Sequence, residues 1–399
     1  MSLSTKKTNR STQRPRTIPR TSIHTTSLSA TTGPAKVSAG ASRVVIQGLK
    51  ADVEGICFPR GRMVGSPGHR KARAYLAARL EEAGCIPFRG DSFELPYQRK
   101  GKSFCNLVGV VRGKNSRLAP LLVGAHYDSA IAAPCADDNA AAVAIALAVT
   151  RIAALGEVLR RDLIVAIFDA EEQPYYQTGS MGSQRFWHDQ RGGRLIHSAI
   201  IMDLVGHDVS VHSSLVSHLP RVASVLSKIP GLADRDIPIP VFHPLVFLTG
   251  TESHPKLKQV LESTGAISGL KLVPTLNSYI GDMSDHGVFR KNGVPYYFLS
   301  CGHWAHYHKK TDTPDRLNYR KMDRITLLTC RLLCELDTQT LRRTGNKECV
   351  CDTFDMEVQY MRRAFGPLWP VLLRRAGLDG VRTRDHMNIL VESILTTGL

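Results

Sequence analysis

The chain has 399 residues, of which 43% are hydrophobic, and a formal net charge of +17 at pH 7. This length allows one large domain or two ordinary ones, and the charge by itself would indicate a nucleic-acid-binding protein. However, residues 1–51 contain nine Lys and Arg and no Asp or Glu, so about half of the excess charge lies in one segment. The remainder shows no basic pattern interleaved with aromatic residues, so we expect no nucleic-acid partner.

Residues 1–41 are rich in Ser, Thr, Arg and Pro and contain too few apolar residues to build a core. We predict a disordered basic tail here. The segment lacks the apolar stretch of a secretory signal, but its Arg and Ser content without acidic residues resembles an organelle transit peptide. Composition favours an extension without an address, and import into an organelle is the alternative.

Cysteine usage and hydropathy bear on the compartment. Nine cysteines occur without the spacing of a zinc ribbon, which favours free, mostly buried thiols in the cytoplasm or another reducing compartment. No run of 18 or more uninterrupted apolar residues occurs, so we expect no membrane span. The sequence does not indicate an oligomeric state.

Short apolar runs alternate with helical patterns between residues 42 and 345, which we predict to be one domain. A strand is predicted at 103–112, buried strands at 119–124, 163–168, 198–204 and 295–300, and helices at 69–84 and 140–155. This alternation predicts an α/β fold with a mixed, mainly parallel central sheet and helices on both faces. Residues 206–281 contain seven prolines and are predicted to be helices and loops beside the active face, and residues 346–399 to be a helical C-terminal extension.

Histidine and acidic residues follow the predicted strands. They are His126, Asp128, Glu171, Glu172, Asp203 and, further along the chain, His308. Because the carboxyl ends of parallel strands meet at one edge of a sheet, we expect these side chains to converge in a crevice. Imidazole and carboxylate together suit zinc or a similar divalent ion. Two imidazoles and several carboxylates exceed the needs of one tetrahedral ion, which indicates a pair of ions sharing a carboxylate.

The spacing of these residues indicates separate roles. Asp128 can accept the second N–H of a metal-bound His126, and His308 with Asp312 can repeat this arrangement, although Asp also favours turns and caps. Adjacent Glu171 and Glu172 should differ in role: if Glu172 faces the metal, Glu171 faces the crevice and can move a proton. An exposed acidic pair is the alternative, and the preceding apolar strand argues against it.

Together these segments resemble the M28 family of co-catalytic zinc aminopeptidases. The matching stretches span roughly residues 60–320 and are Gly65-Ser66-Pro67-Gly68, Gly124 to Ser129, Ala136 to Ala140, Phe168 to Glu172, Met202-Asp203-Leu204, Ser284 to Phe289 and His308 to Thr313. Their order and spacing are specific in combination, although each stretch alone is a weak signal. The resemblance implies a zinc-exopeptidase-like fold.

The resemblance also implies a role for each matching residue. His126 and Asp203 would hold one zinc ion, Glu172 and His308 would hold the other, and Asp137 would bridge the two ions. The peptide bond between Asp137 and Asp138 would be cis. Glu171 would be the general base, Asp128 would act with it by orienting His126, and Asp285 and His286 would lie near the crevice.

Two positions depart from the family pattern: Ala141-Ala142 stands where Ser-Gly is common, and Cys135 stands near a frequent Gly. The implied function is metal-dependent hydrolysis of peptides, with removal of N-terminal residues. The alternatives are a glutaminyl cyclase-like acyltransferase with a single zinc ion on the same fold, and a non-catalytic binding module. Dipeptidase and carboxypeptidase activity, the preferred side chain, and cobalt or manganese in place of zinc are left open.

Overall fold

The computed structural model describes residues 39–209, 211–212, 236–237, 242–341 and 351–395. The helices described are α1 (Ala39–Ile56), α2 (Pro67–Glu82), α3 (Ala141–Gly156), α4 (Gly182–Arg185), α5 (Pro255–Thr264), α6 (Asn277–Ile280), α7 (His286–Lys291), α8 (Tyr319–Thr338), α9 (Phe354–Phe365), α10 (Trp369–Arg375) and α11 (Arg384–Leu395). The strands described are β1 (Ile86–Pro87), β2 (Glu94–Arg99), β3 (Lys102–Val111), β4 (Leu121–His126), β5 (Leu163–Phe168), β6 (Ser198–Met202), β7 (Val211–His212), β8 (Asp236–Ile237), β9 (Leu245–Thr249), β10 (Lys271–Thr275) and β11 (Tyr296–Ser300).

The main sheet has the strand order β1-β3-β5-β4-β6-β11-β9-β10, with β2 paired to β3. Its centre is parallel, because β4 runs parallel to β5 and β6, and β6 runs parallel to β11. Antiparallel pairs join β3 to β5 and β11 to β9. Strands β7 and β8 form a separate antiparallel pair. The prediction of a mixed sheet with a parallel centre is confirmed.

Side chains alternate between the two faces of the sheet, as the pleat of a strand requires. Leu121 and Val123 of β4 join a large apolar cluster with α1, α3 and α8, whereas Leu122 joins a smaller cluster on the other face. The smaller cluster includes Phe289 of α7 and Trp187. Helices therefore cover both faces, which explains why β4 and β5 are buried along their whole length.

Helix α3 forms the middle of the larger cluster. The run Ala136–Gly156 has 21 residues and contains an 18-residue window with a mean hydropathy of 1.7, so it is long and apolar enough to cross a membrane by those two criteria. However, 72% of that window is buried inside the protein. Its alanines allow close contact with the sheet and with α1 and α8, so the apolar composition is that of a core helix.

The segment 206–281 differs from its predicted form. The described part contributes β9 and β10, two parallel strands of the main sheet, in addition to helices. The prolines obscured these strands in the sequence, and Pro274 lies within β10 itself. Strand β10 is at the edge of the sheet, where a residue without an N–H donor is tolerated. Residues 210, 213–235 and 238–241 lie outside the described residues.

The two ends of the described chain can be compared with the domain boundaries predicted from the sequence. Helix α1 begins at Ala39, three residues before the predicted start of the domain, and residues 1–38 of the predicted tail lie outside the described residues. The helical C-terminal extension is confirmed by α9, α10 and α11. It packs on the domain, because Lys271 Nζ of β10 donates to the Ala364 carbonyl at 2.8 Å. All eight cysteines among the described residues are free.

Candidate metal centre

Acidic and imidazole side chains converge at the carboxyl end of the parallel strands. His126 is the last residue of β4, Glu171 and Glu172 follow β5, and Asp203 follows β6. His308 reaches the same place from the segment after β11. All are buried except His308, whose side chain is 33% exposed. The sequence-based expectation that these residues share a crevice agrees with their positions.

The Asp138 carboxylate lies between the two imidazoles. Its Oδ1 atom is 3.4 Å from His126 Nε2, and its Oδ2 atom is 3.0 Å from His308 Nε2. Each oxygen therefore faces a different histidine. This is the arrangement that a bridging carboxylate needs.

Each imidazole also faces a second carboxylate. His126 Nε2 is 3.6 Å from Asp203 Oδ1, and His308 Nε2 is 3.3 Å from Glu172 Oε2. Two ligand atoms that each lie about 2.0–2.1 Å from a zinc ion at the tetrahedral angle are about 3.3 Å apart. The distances from each imidazole to its two carboxylates are of this size. Among the described residues, ligand atoms of His126, Asp138 and Glu172 all lie within 4.8 Å of one another, so this cluster could hold a metal ion.

The charges in this cluster also favour a cation. Burial, and then the charge of Asp138, raise the pKa of Glu172 to about 8. Burial opposes protonation of His126, but Asp203 and Glu171 raise its pKa well above its ordinary value. Hydrogen bonds to Asp138 and Glu172 raise the pKa of His308 to about 10. So many buried carboxylates repel one another, and a divalent ion would offset that repulsion.

Glu171 differs in placement from Glu172. Its Oε2 atom is 3.9 Å from His126 Nε2, and no described protein group hydrogen-bonds its buried Oε1 atom. Burial raises the pKa of Glu171 well above its ordinary value, and the nearby His126 partly offsets that rise. A buried carboxyl with a raised pKa at the edge of a crevice is suited to taking up a proton.

Asp128 holds the two glutamates in place. Its two carboxylate oxygens accept the backbone N–H groups of Glu171 and Glu172, each at 3.0 Å. Its Oδ1 atom also lies 3.4 Å from His126 Nδ1, slightly longer than an ordinary hydrogen bond. Asp128 therefore connects the ends of β4 and β5 and lies beside His126, so its contacts are those of a positioning residue.

The carboxylate that faces both imidazoles lies one residue further along the chain than the predicted one. Asp137, the residue predicted to bridge, faces away from the cluster: its Oδ1 atom accepts the N–H of Gly206 at 2.7 Å, and its Oδ2 atom lies 2.6 Å from His207 Nδ1. Asp138 occupies the predicted place. The wide turn Ala136–Ala140 leaves helical geometry at Asp138, with φ −110° and ψ 87°, which directs the second carboxylate into the crevice. The cis peptide bond joins Asp138 to Asn139 and not Asp137 to Asp138.

Asp312 also differs from its predicted role of orienting His308. Its carboxylate accepts the backbone N–H groups of Asp137 at 2.9 Å and Asp138 at 3.2 Å. It therefore fixes the turn that presents Asp138. Asp285, expected near the crevice, is fully buried, and burial raises its pKa to about 7 although His126 opposes the rise.

The backbone around the cluster adopts left-handed geometry at several non-glycine residues. Ala170 has φ 56°, Leu204 has φ 54° and His308 has φ 53°. Ala170 immediately precedes Glu171, Leu204 immediately follows Asp203, and His308 is itself part of the cluster. Such conformations cost free energy in L-residues and concentrate at functional sites, so they mark this end of the sheet independently of its charges.

Arg62 is a site residue that the sequence did not reveal. Its guanidinium is fully buried and donates to the backbone carbonyls of Tyr127 at 2.7 Å, Pro134 at 2.6 Å and Cys135 at 2.9 Å. It also donates to the carbonyl of Ile56 at 3.1 Å. The backbone between His126 and Asp138 thus surrounds the guanidinium of Arg62. Only its place just before the Gly65-Ser66 stretch could have drawn attention to it.

Comparison with known proteins identifies the family and the fold of the chain. The model of peptidase family M28 matches residues 106–333, more than half of the chain. The Uncharacterized protein YfbL of Escherichia coli (strain K12) is 26% identical over 217 residues. That match covers 51% of this chain and 63% of the relative, so the chain spans less than two thirds of it.

Solved structures with similar folds include both peptidases and cyclases. The LapA aminopeptidase of Legionella pneumophila has a TM-score of 0.55 at 15% identity, covering 76% of each chain. A glutaminyl cyclase of Porphyromonas gingivalis has a TM-score of 0.53 at 18% identity, covering 73% of this chain and 97% of its own. A leucine aminopeptidase precursor of Bacteroides thetaiotaomicron has a TM-score of 0.52 at 15% identity, covering 73% and 96%. The fold is that of the zinc exopeptidases, and the chain belongs to peptidase family M28.

Proposed function

We propose that this protein is a two-zinc exopeptidase that removes N-terminal residues from peptides. The observation that carries the proposal is the Asp138 carboxylate, whose two oxygens face His126 and His308 separately. One carboxylate that faces two imidazoles, each with a further carboxylate beside it, supplies enough ligands for a pair of ions.

The proposed ligands form two groups. His126, Asp203 and Asp138 would hold one zinc ion, and His308, Glu172 and Asp138 would hold the other. When bound, the ions would hold the free amine of the substrate, polarise the scissile carbonyl and acidify the attacking water.

Glu171 is the proposed general base. It lines the cavity beside the ligands and has an oxygen atom without a hydrogen-bond partner among the described groups. In the proposed reaction, the water oxygen bonds to the carbonyl carbon and its proton passes to Glu171. The C–N bond then breaks, and Glu171 returns the proton to the leaving amine. Asp128 keeps Glu171 in position through the backbone.

The side chains that line the cavity favour peptide hydrolysis over the alternative of cyclising N-terminal glutamine. Cyclisation would require the site to recognise a side-chain amide, which needs buried hydrogen-bonding partners. Beyond the acidic end, the cavity is lined mainly by apolar and aromatic side chains, such as Phe247, Val273 and Phe298. An amide among them would find one buried donor, Trp304 Nε1, which has no hydrogen-bond partner among the described groups, and would regain only part of its hydrogen bonding to water.

The test combines metal analysis with a substrate screen of the purified full-length protein. Aminoacyl anilides, dipeptides and an N-terminal glutaminyl peptide would be incubated with and without a chelator. The proposal predicts two zinc ions per chain and chelator-sensitive release of N-terminal residues. One zinc ion with cyclisation of glutamine would establish the acyltransferase alternative. Absence of bound metal and of all turnover would leave a binding module.

A further inference from the structure

A cavity of about 690 Å³ opens beside the metal centre. Its polar end is formed by the cluster, including Glu171 and Asp203. No Lys or Arg occurs among the described residues that line it. An acidic substrate side chain would therefore find no Lys or Arg among these residues and would be repelled by the carboxylates at the polar end of the cavity. A basic side chain that reached into the apolar end would find no carboxylate among the described residues there.

Three hydroxyl groups that line the cavity are already engaged in hydrogen bonds within the protein. The hydroxyls of Thr249 and Thr275 lie 2.8 Å apart, within hydrogen-bonding distance. The Tyr279 hydroxyl donates to Asn388 Oδ1, also at 2.8 Å. Trp304 Nε1 also lines the cavity and has no hydrogen-bond partner among the described groups, but the rest of the lining beyond the acidic end is mainly apolar and aromatic, which favours burial of aliphatic or aromatic groups.

One wall of this cavity comes from the C-terminal helices. Met361 and Phe365 of α9, and Val391 and Ile394 of α11, line it. All four lie beyond residue 333, where the match to the family model ends. The chemistry and this wall therefore come from different parts of the chain.

Hydrogen bonds join the two helices of the wall to each other and to the rest of the domain. Arg384 of α11 donates to both oxygens of the buried Glu357 of α9, at 2.7 and 3.0 Å. Lys271 and Tyr279 each bond to the C-terminal helices, at Ala364 and Asn388. A bidentate pair with one buried partner fixes the two helices relative to each other. The wall thus has a defined shape that can select between side chains.

We propose that the C-terminal helices set the substrate preference of this protein, and that they select peptides whose terminal residue carries a large apolar side chain, such as a branched aliphatic or aromatic one. This inference rests on the proposed function in its reference to peptides. The apolar cavity and its C-terminal wall can be tested by binding alone, without turnover.

A matched pair of substitutions on α9 provides the test. Met356 and Met361 are each 2% exposed, but only Met361 is among the residues lining the cavity. Met356→Ala and Met361→Ala remove the same buried side chain and should lower the melting temperature similarly. Ile394→Ala and Leu390→Ala on α11 form a second such pair, since Leu390 is buried but does not line the cavity.

Binding of leucinol and alaninol to the zinc-loaded full-length protein would be measured by calorimetry, and hydrolysis of leucyl and alanyl anilides by kcat/KM. Wild type should favour the leucyl compound in each pair at least about tenfold. Met361→Ala and Ile394→Ala should reduce that ratio by about threefold or more. Met356→Ala and Leu390→Ala should leave it unchanged.

Equal binding of leucinol and alaninol by wild type would overturn the inference. So would ratios that change equally in the lining and control variants, because the wall would then act only through stability. Leucinol preference without any peptide hydrolysis would refute the proposed function while retaining the selective wall. Hydrolysis without side-chain preference would support the proposed function and refute the selective wall.

Discussion

Asp137 and Asp138 are adjacent in the chain, yet their carboxylates serve opposite sides of the turn that carries them. Asp138 lies between His126 and His308, whereas Asp137 pairs with His207 Nδ1 at 2.6 Å. The distinction separates a proposed metal ligand from a structural residue of identical chemistry. It also supplies a matched pair of variants.

We expect Asp138→Asn to lose bound zinc and Asp137→Asn to retain it. Removing the shared carboxylate weakens both ion sites, so zinc per chain should fall to one or less and kcat/KM by more than about a hundredfold. Asp137→Asn should lower the free energy of unfolding by about 1–3 kcal/mol through its buried contacts. Metal analysis after dialysis and chemical denaturation measure the two effects. Loss of zinc from Asp137→Asn with full zinc in Asp138→Asn would restore Asp137 as the bridging residue.

Glu171→Gln should separate proton transfer from metal binding. The amide fills the same space but cannot accept the proton of the attacking water, so kcat should fall by about a hundredfold to ten-thousandfold. Zinc content should match that of wild type, because Glu171 belongs to neither proposed ligand group. Glu172→Gln is the control and should lose zinc as well as rate. Normal turnover by Glu171→Gln would remove this residue from the reaction.

Arg62→Met should destabilise the protein through the loop between His126 and Asp138. The change leaves the carbonyls of Ile56, Tyr127, Pro134 and Cys135 without their donor. We expect the free energy of unfolding to fall by more than about 3 kcal/mol, measured by urea denaturation. Arg60→Met is the control, since Arg60 is exposed, and should change stability by less than about 0.5 kcal/mol. Similar stability of both variants would show that the buried guanidinium is dispensable.

His197 should make the protein less stable at mildly acidic pH. Burial, reinforced by the positive charge of Arg161, lowers the pKa of His197 from its ordinary value of 6.5 to about 4. The native state thus binds fewer protons than the unfolded state between these values. The stabilising effect of neutral His197 is complete above pH 6.5 and is lost as the pH falls towards 4, by up to about 1.4 kcal/mol per pH unit.

Urea denaturation between pH 7 and pH 4.5 would measure this dependence. His197→Gln should show a shallower loss of stability with falling pH than wild type. His188→Gln should follow the wild-type curve, because His188 is exposed. Parallel curves for wild type and His197→Gln would rule out this histidine as a source of acid sensitivity.

The parts of the fold that the sequence predicts are those with strong local patterns. Strand β5 is predicted at its observed residues, because five of its six residues are uninterrupted aliphatic ones and a charged residue bounds each end. Helix α3 is predicted to within a residue from its alanine-rich composition. Strand β10 is missed, because Pro274 counts against a strand unless the position is known to be an edge. Edge position is a tertiary fact that local composition does not contain.

The same limit applies to the site. Residues at or directly after the ends of buried strands, such as His126 and Asp203, can be assigned to a crevice because sheet topology brings strand ends together. The choice between Asp137 and Asp138 depends on backbone angles within a single turn, which neither residue type nor spacing specifies. Arg62 and Met361 act through distant segments, so their positions follow only from the folded chain.

The contact between Asp128 and the amides of Glu171 and Glu172 has a wider consequence. It ties both glutamates to the end of β4, while the wall proposed to select side chains is carried by helices that can be altered separately. Redesign of substrate preference could therefore be confined to α9 and α11 and leave the hydrolytic apparatus undisturbed.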